Sequence, residues 1–70
     1  MKIVKIDTEF ITLGQFLKFV GIIDSGATAK TYLLSHFAVI NGEKEQRRGK
    51  KLYPGMIFFI NNEQFKIESL

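Results

Sequence analysis

A chain of 70 residues with no cysteine has to hold its fold by packing alone. Neither a disulfide nor a thiolate-bound zinc can staple it. A domain of this size buries only about 60 to 65% of the surface its unfolded chain exposes. The chain answers with 46% hydrophobic residues, seven phenylalanines among them, enough for one core and a single domain over residues 1–70. The opening Met1-Lys-Ile-Val-Lys-Ile-Asp7 lacks the apolar run of a secretion signal. No apolar stretch approaches the roughly 18 residues of a membrane span. A soluble, cytoplasmic, basic mini-domain is the expectation.

The apolar pattern divides the chain into short elements. Lys2 to Asp7 alternates loosely, with Val4 and Ile6 on one side and Ile3 between lysines, as in a short edge strand. Thr12-Leu-Gly-Gln15 matches a capping box, in which the threonine hydroxyl accepts from the backbone of Gln15 while the glutamine reaches back. Leu13, Phe16, Leu17 and Val20 then form one helical stripe, with Gln15 and Lys18 on the outward side and Gly21 as a stop. Asp24-Ser-Gly reads as a turn, with Ser25 as N-cap of a second helix. In that helix Ala29, Tyr32, Leu33 and His36 keep helical spacing, Ala27 and Ala29 allow close approach to the first helix, and Lys30 and Thr31 point away from the seam.

The second half is read as strands and turns. Ala38 to Ile40 is a short strand closed by Asn41-Gly42. Pro54-Gly55 suits a type II turn, Met56 to Ile60 is a strand, and Asn61-Asn62 turns it into a last strand where Phe65 and Ile67 alternate with charge. Phe16, Phe58 and Phe59 are read as core. The layout is α+β, two packed helices against a small antiparallel sheet.

Charge is concentrated in one place. Glu43-Lys-Glu-Gln-Arg-Arg-Gly-Lys-Lys51 carries five cations and two anions, a net +3 that equals the formal charge of the whole chain. The other 61 residues hold five cations against five anions. Arg47 and Arg48 flank a tight turn at Gly49, followed by Lys50 and Lys51. Arginine offers a planar fork to phosphate oxygens and lysine a mobile point charge, a mixture suited to a sugar-phosphate backbone. A solvated loop that only aids solubility has the same composition. At the start of the second helix, Ser25 and Thr28 can offer hydroxyls and backbone N–H groups to an anion, with Lys30 about one turn in. Ser25 can equally be a simple cap, and both roles are compatible. Tyr32 and Tyr53 could stack on bases, although packing suits both better.

Enzymatic chemistry finds little footing. A single histidine cannot build a histidine metal cluster, and His36, near the end of a helical stripe, fits a partly buried, hydrogen-bonded core-edge residue better than a general base. The carboxylates are scattered, no serine sits in a nucleophile elbow, and Gly42 to Gly49 lacks the spacing of a phosphate-binding loop. No catalytic residue, cofactor, metal or small-molecule substrate is expected.

Several segments carry a resemblance. Ile11-Thr-Leu-Gly-Gln-Phe-Leu-Lys18, Ser25-Gly-x-x-Ala29-Lys30, Val39-Ile-Asn-Gly-Glu43, Arg47-Arg-Gly-Lys-Lys-Leu52 and Gly55 stand in the order and spacing of the S4 domain, an RNA-binding module. The likeness runs from about Asp7 to Ile60 and is strongest to the small stand-alone YaaA-type bacterial proteins of that family. It implies the αL RNA-binding motif, with two helices and a following loop against structured RNA, and chemistry, in relatives that have any, located elsewhere. It further implies ribosomal RNA or the large ribosomal subunit as partner. Lys30, Arg47, Arg48, Lys50 and Lys51 fall on matched positions. The chain departs from the pattern at Thr12 and Gly14, where many relatives carry arginine or aspartate, at Gly26, where they carry arginine, and at Gly55-Met56, where Gly-Asp is usual. Some of the family's usual contacts are thereby removed.

The expectation is a non-enzymatic RNA-binding module using Lys30, Arg47, Arg48, Lys50, Lys51, Ser25 and Thr28. It requires the cationic tips to converge on one side of the scaffold, unpaired with acids. The alternative is a protein-interaction adaptor using the basic face or a sheet edge.

Overall fold

The computed structural model describes residues 1–70. Strands β1 (Lys2–Ile6) and β2 (Ile11–Thr12) precede helix α1 (Leu13–Phe19). A 3-10 turn (Gly26–Thr28) runs into helix α2 (Ala29–Ser35). Strands β3 (Ala38–Ile40), β4 (Glu43–Glu45), β5 (Lys51–Leu52), β6 (Ile57–Ile60) and β7 (Glu63–Ser69) follow. Five strands form one sheet in the order β1-β7-β6-β3-β4, while β2 and β5 form a separate two-stranded ladder.

The first helix forms where its signals place it. The Thr12 amide donates to Gln15 Oε1 at 2.9 Å and the Gln15 amide to Thr12 Oγ1 at 3.3 Å, closing the capping box. At the other end Gly21 takes φ +81°. Its amide reaches the Lys18 carbonyl, and the Ile22 amide reaches that of Leu17, the paired bonds of a Schellman stop that a β-carbon would disfavour. Leu13, Phe16 and Leu17 are wholly buried. Phe16 meets Phe58 and Phe65 edge-on, with centroids 4.9 and 5.0 Å away, the arrangement that ring quadrupoles favour.

The second helix starts later than its cap suggests. Ser25 caps the 3-10 turn, accepting from the Ala27 amide at 3.2 Å, and the Thr28 amide donates back to the Ser25 carbonyl. Regular α-helix begins only at Ala29. Ala29 and Leu33 are buried, but Ala27 is exposed, so only one of the two alanines serves the close approach. His36 is exposed as well, its ring lying flat on Tyr32 at 4.7 Å, because α2 ends at Ser35 and the chain turns outward there.

Turn chemistry sets the sheet. Asn41-Gly42 and Asn61-Asn62 all take positive φ, between 54° and 78°, as tight hairpins require. Gly55 at φ +96° and a bond from the Met56 amide to the Tyr53 carbonyl make the type II turn. Pairing is antiparallel from β7 through β6 and β3 to β4. The outer strand β1 runs parallel to β7, Val4 opposite Ile67, which makes the sheet mixed. A parallel neighbour needs a long crossover, and the two helices lie between β1 and the rest of the sheet in sequence.

The inner face of this sheet and the two helices enclose a core of 15 buried residues. Phe59 is not among them. It alternates with Phe58 and Ile60 and lies 51% exposed on the opposite face. No helix is long and apolar enough to cross a membrane.

Candidate nucleic-acid interface

The basic turn is fastened to the first turn of α1 by backbone. The opening amides of a helix have no partner within it. Here the Leu13 amide donates to the Lys50 carbonyl and the Gly14 amide to the Arg48 carbonyl, each at 2.8 Å. The turn closes on itself through the Lys50 amide and the Arg47 carbonyl, 3.2 Å. One step further, Thr12 pairs with Lys51 and Ile11 with Leu52 in the β2·β5 ladder. With its carbonyls spent on the helix, the turn leaves its side chains to project elsewhere.

Gly14 makes the approach possible. A β-carbon there would stand 3.3 Å from both the Cβ and the carbonyl oxygen of Arg48, and 3.5 Å from the Cβ of Ala29. The starts of α1 and α2 and the basic turn therefore meet around one hydrogen atom. They enclose a groove of about 440 Å³ whose polar walls include Thr12, Gln15, Lys18 and Arg48, with no carboxylate in the lining.

The expected site residues divide into groups. Arg48 lines the groove, makes no ion pair, and sits beside Gly49. Arg47 points away to Glu45. Its Nε and backbone amide donate to Glu45 Oε2 and its Nη2 to Oε1, all at 3.0 Å. This contact, chiefly the side-chain hydrogen bond, holds the Glu45 carboxyl down at about 2 and raises Arg47 further. One of the five cations is thus locked to an acid, although its side chain stays 76% exposed. Lys51 places its Nζ 4.8 Å above the Phe10 ring. Lys50 is half-buried, and Lys30 is exposed on α2 next to the groove-lining Ala29. Ser25 and Thr28 are engaged in the cap, where the Thr28 hydroxyl donates to the Ser25 carbonyl at 2.8 Å and the Ala29 amide to that of Gly26.

Of the eight residues that line the groove, Arg48 alone is among the expected site residues. The sequence marks Lys18 only as outward-facing, and its position three residues after Gln15, on the capped side of the helix, is the available signal. Gly14 reads in the sequence as a missing contact, whereas the close approach it permits defines the groove. Tyr53 packs against Phe10, centroids 5.7 Å apart, and half-buried Tyr32 against His36.

The family model described as S4 domain matches residues 4–68. Among characterised proteins, the chain is 54% identical over 57 residues to the probable ribosome maturation protein RlbA of Bacillus subtilis (strain 168), an alignment covering 81% of this chain and 80% of that one. No solved structure gives a significant match.

Proposed function

The chain belongs to the S4 domain family, and on that premise we propose that it grips folded ribosomal RNA, as part of the large subunit or its precursors, without doing chemistry on it. The observation that carries this reading is the carboxylate-free groove in which Arg48 and Lys18 flank the backbone-locked junction of α1 and the basic turn. A rigid concavity lined by cations and hydroxyl or amide side chains suits a sugar-phosphate backbone, so RNA shape rather than sequence sets the preference. Lys30, Lys50 and Lys51, with the Ser25 hydroxyl, extend the surface, whereas the Thr28 hydroxyl already has its one proton on the Ser25 carbonyl. Arg47 joins through the part of its guanidinium that Glu45 leaves open. The relative's name as a ribosome maturation protein supports the choice of ribosomal RNA and, with it, a cytoplasmic setting.

The test is a salt titration of a folded ribosomal RNA fragment. Arg48→Ala is expected to weaken binding evenly across sequences and to flatten the dependence of log affinity on log salt by about 1. Binding that ignores both Arg48 and salt would sink the reading. Co-sedimentation with ribosomal subunits before and after nuclease treatment separates RNA contact from protein adaptorship, since an adaptor keeps its partner once RNA is digested.

A further inference from the structure

The side of the sheet away from the helices carries a second feature that the groove does not use. Between the end of α2, strands β3 and β6 and the Asn61-Asn62 turn lies a hollow of about 480 Å³, within the roughly 300–1,000 Å³ typical of small-ligand sites. Phe37 and Phe59 both line it, 40% and 51% exposed. Phe59 is the cross-strand partner of Val39, and Phe37, just ahead of β3, lies two residues before Val39, so both rings border the same hollow. His36 stands at the margin, with one ring face already covered by Tyr32. The exposed Asn61 and Asn62 contribute side-chain amides, each with donors and an acceptor. Lys44, opposite Val39 in the register, holds its Nζ 4.7 Å from the Phe37 ring. No carboxylate lines the hollow.

We infer that this hollow receives an unpaired nucleobase of an RNA strand, stacked against Phe59 and Phe37, with the Asn61 and Asn62 amides toward the base edge and Lys44 at the adjoining phosphate. Every base has a π-face that an aromatic ring can cover, and amide groups can meet the polar edge that stacking leaves free. A purely apolar partner would strand the two amides, and a cation would meet Lys44. The inference rests on the RNA-binding reading only for the identity of the polymer.

Two probes separate this site from the groove: a blunt RNA hairpin, and the same hairpin with a short unpaired 3′ tail. Affinity is read by fluorescence anisotropy and contact by aromatic NMR shifts. The tail is expected to raise affinity about tenfold, with shifts at Phe37 and Phe59. Phe59→Ala abolishes that gain and leaves the blunt hairpin unaffected. Phe59→Tyr keeps the gain, and Asn62→Gly, which retains the left-handed turn, reduces it. A tail that adds nothing, or adds equally to wild type and Phe59→Ala, overturns the inference. So does a wild-type dimer that Phe59→Ala dissociates, since a second copy would then occupy the face. Loss of blunt-hairpin binding with the tail contact intact would overturn the groove reading and leave the hollow standing.

Discussion

The backbone amide of Gly14 donates to the carbonyl of Arg48 across 2.8 Å, joining the start of α1 to the basic turn without using either side chain. The Arg48 backbone is therefore placed by the helix, while its guanidinium stays available to the groove. Much of the flexibility usual for an exposed loop is removed before any ligand arrives, which lowers the ordering cost of binding.

Gly14→Ala separates stability from binding. Alanine gains about 1 kcal/mol of helix propensity over glycine, but its β-carbon would press on Arg48 at 3.3 Å. The turn is exposed and can yield a few tenths of an ångström, so urea unfolding is expected to shift by less than about 1 kcal/mol. RNA affinity falls because the Arg48 carbonyl and side chain move with the turn. Gly14→Val adds bulk the junction cannot absorb and costs about 1–3 kcal/mol. Unchanged affinity in Gly14→Ala would show that the junction does not position the site.

The sequence announced what local chemistry controls. Thr12 and Gln15, Gly21, Asn41-Gly42 and Pro54-Gly55 each carry a mechanism that stays within a helical turn or two of chain, and each takes its expected geometry. Contacts made at long range were less legible. The β2·β5 ladder has two residues per strand, too few for any periodicity. The parallel pairing of β1 with β7 joins the two ends of the chain. Phe59 reads as core because Ile57-Phe-Phe-Ile60 is apolar throughout, and hydrophobicity does not say which face of such a strand is inward. The basic run gave away its charge but not the pairing of Arg47 with Glu45, which needs both side chains turned to one side after β4.

That pair predicts a pH dependence. The Glu45 carboxyl lies at about 2 in the folded protein, against an ordinary 4.5. A depressed carboxylate contributes stability that is complete above its unfolded value and is lost as pH falls through the folded one. The contribution is therefore intact near neutrality and drains away between about 4.5 and 2. Glu45→Gln is expected to flatten the stability profile in that window alone, read from urea midpoints at stepped pH. It also frees the Arg47 fork and removes a negative charge beside the RNA surface, so affinity near neutral pH should rise. A profile identical to wild type down to pH 2 would mean that the pair does not form in solution.

The hydroxyl of Tyr32 is buried without a hydrogen-bond partner, and burial raises its pKa. A buried polar group left unpaired costs about 1–3 kcal/mol. Tyr32→Phe removes the group and keeps the ring against His36, so it is expected to be neutral or to stabilise by up to about 1 kcal/mol. Thermal unfolding checks this, and a loss above about 1 kcal/mol would reveal a water-mediated partner for the hydroxyl.

Phe16 and Phe59 should lie at opposite ends of a truncation series. Phe16 has no exposed surface and joins α1 to β6 and β7 through Phe58 and Phe65. Phe16→Ala would cost about 3–5 kcal/mol through lost burial and the cavity left behind, and a domain this small sits near the low end of the roughly 5–15 kcal/mol usual for folded proteins. Circular dichroism should find Phe16→Ala largely unfolded at 37 °C, a condition set for the assay at about physiological temperature. Phe16→Leu keeps most of the volume and should retain a cooperative transition, shifted by about 1–2 kcal/mol. Phe59→Ala opens no cavity and should move the midpoint by less than about 1 kcal/mol. Equal losses at the two positions would mean that Phe59 is covered in solution, and the face on which it stands would then be closed to RNA.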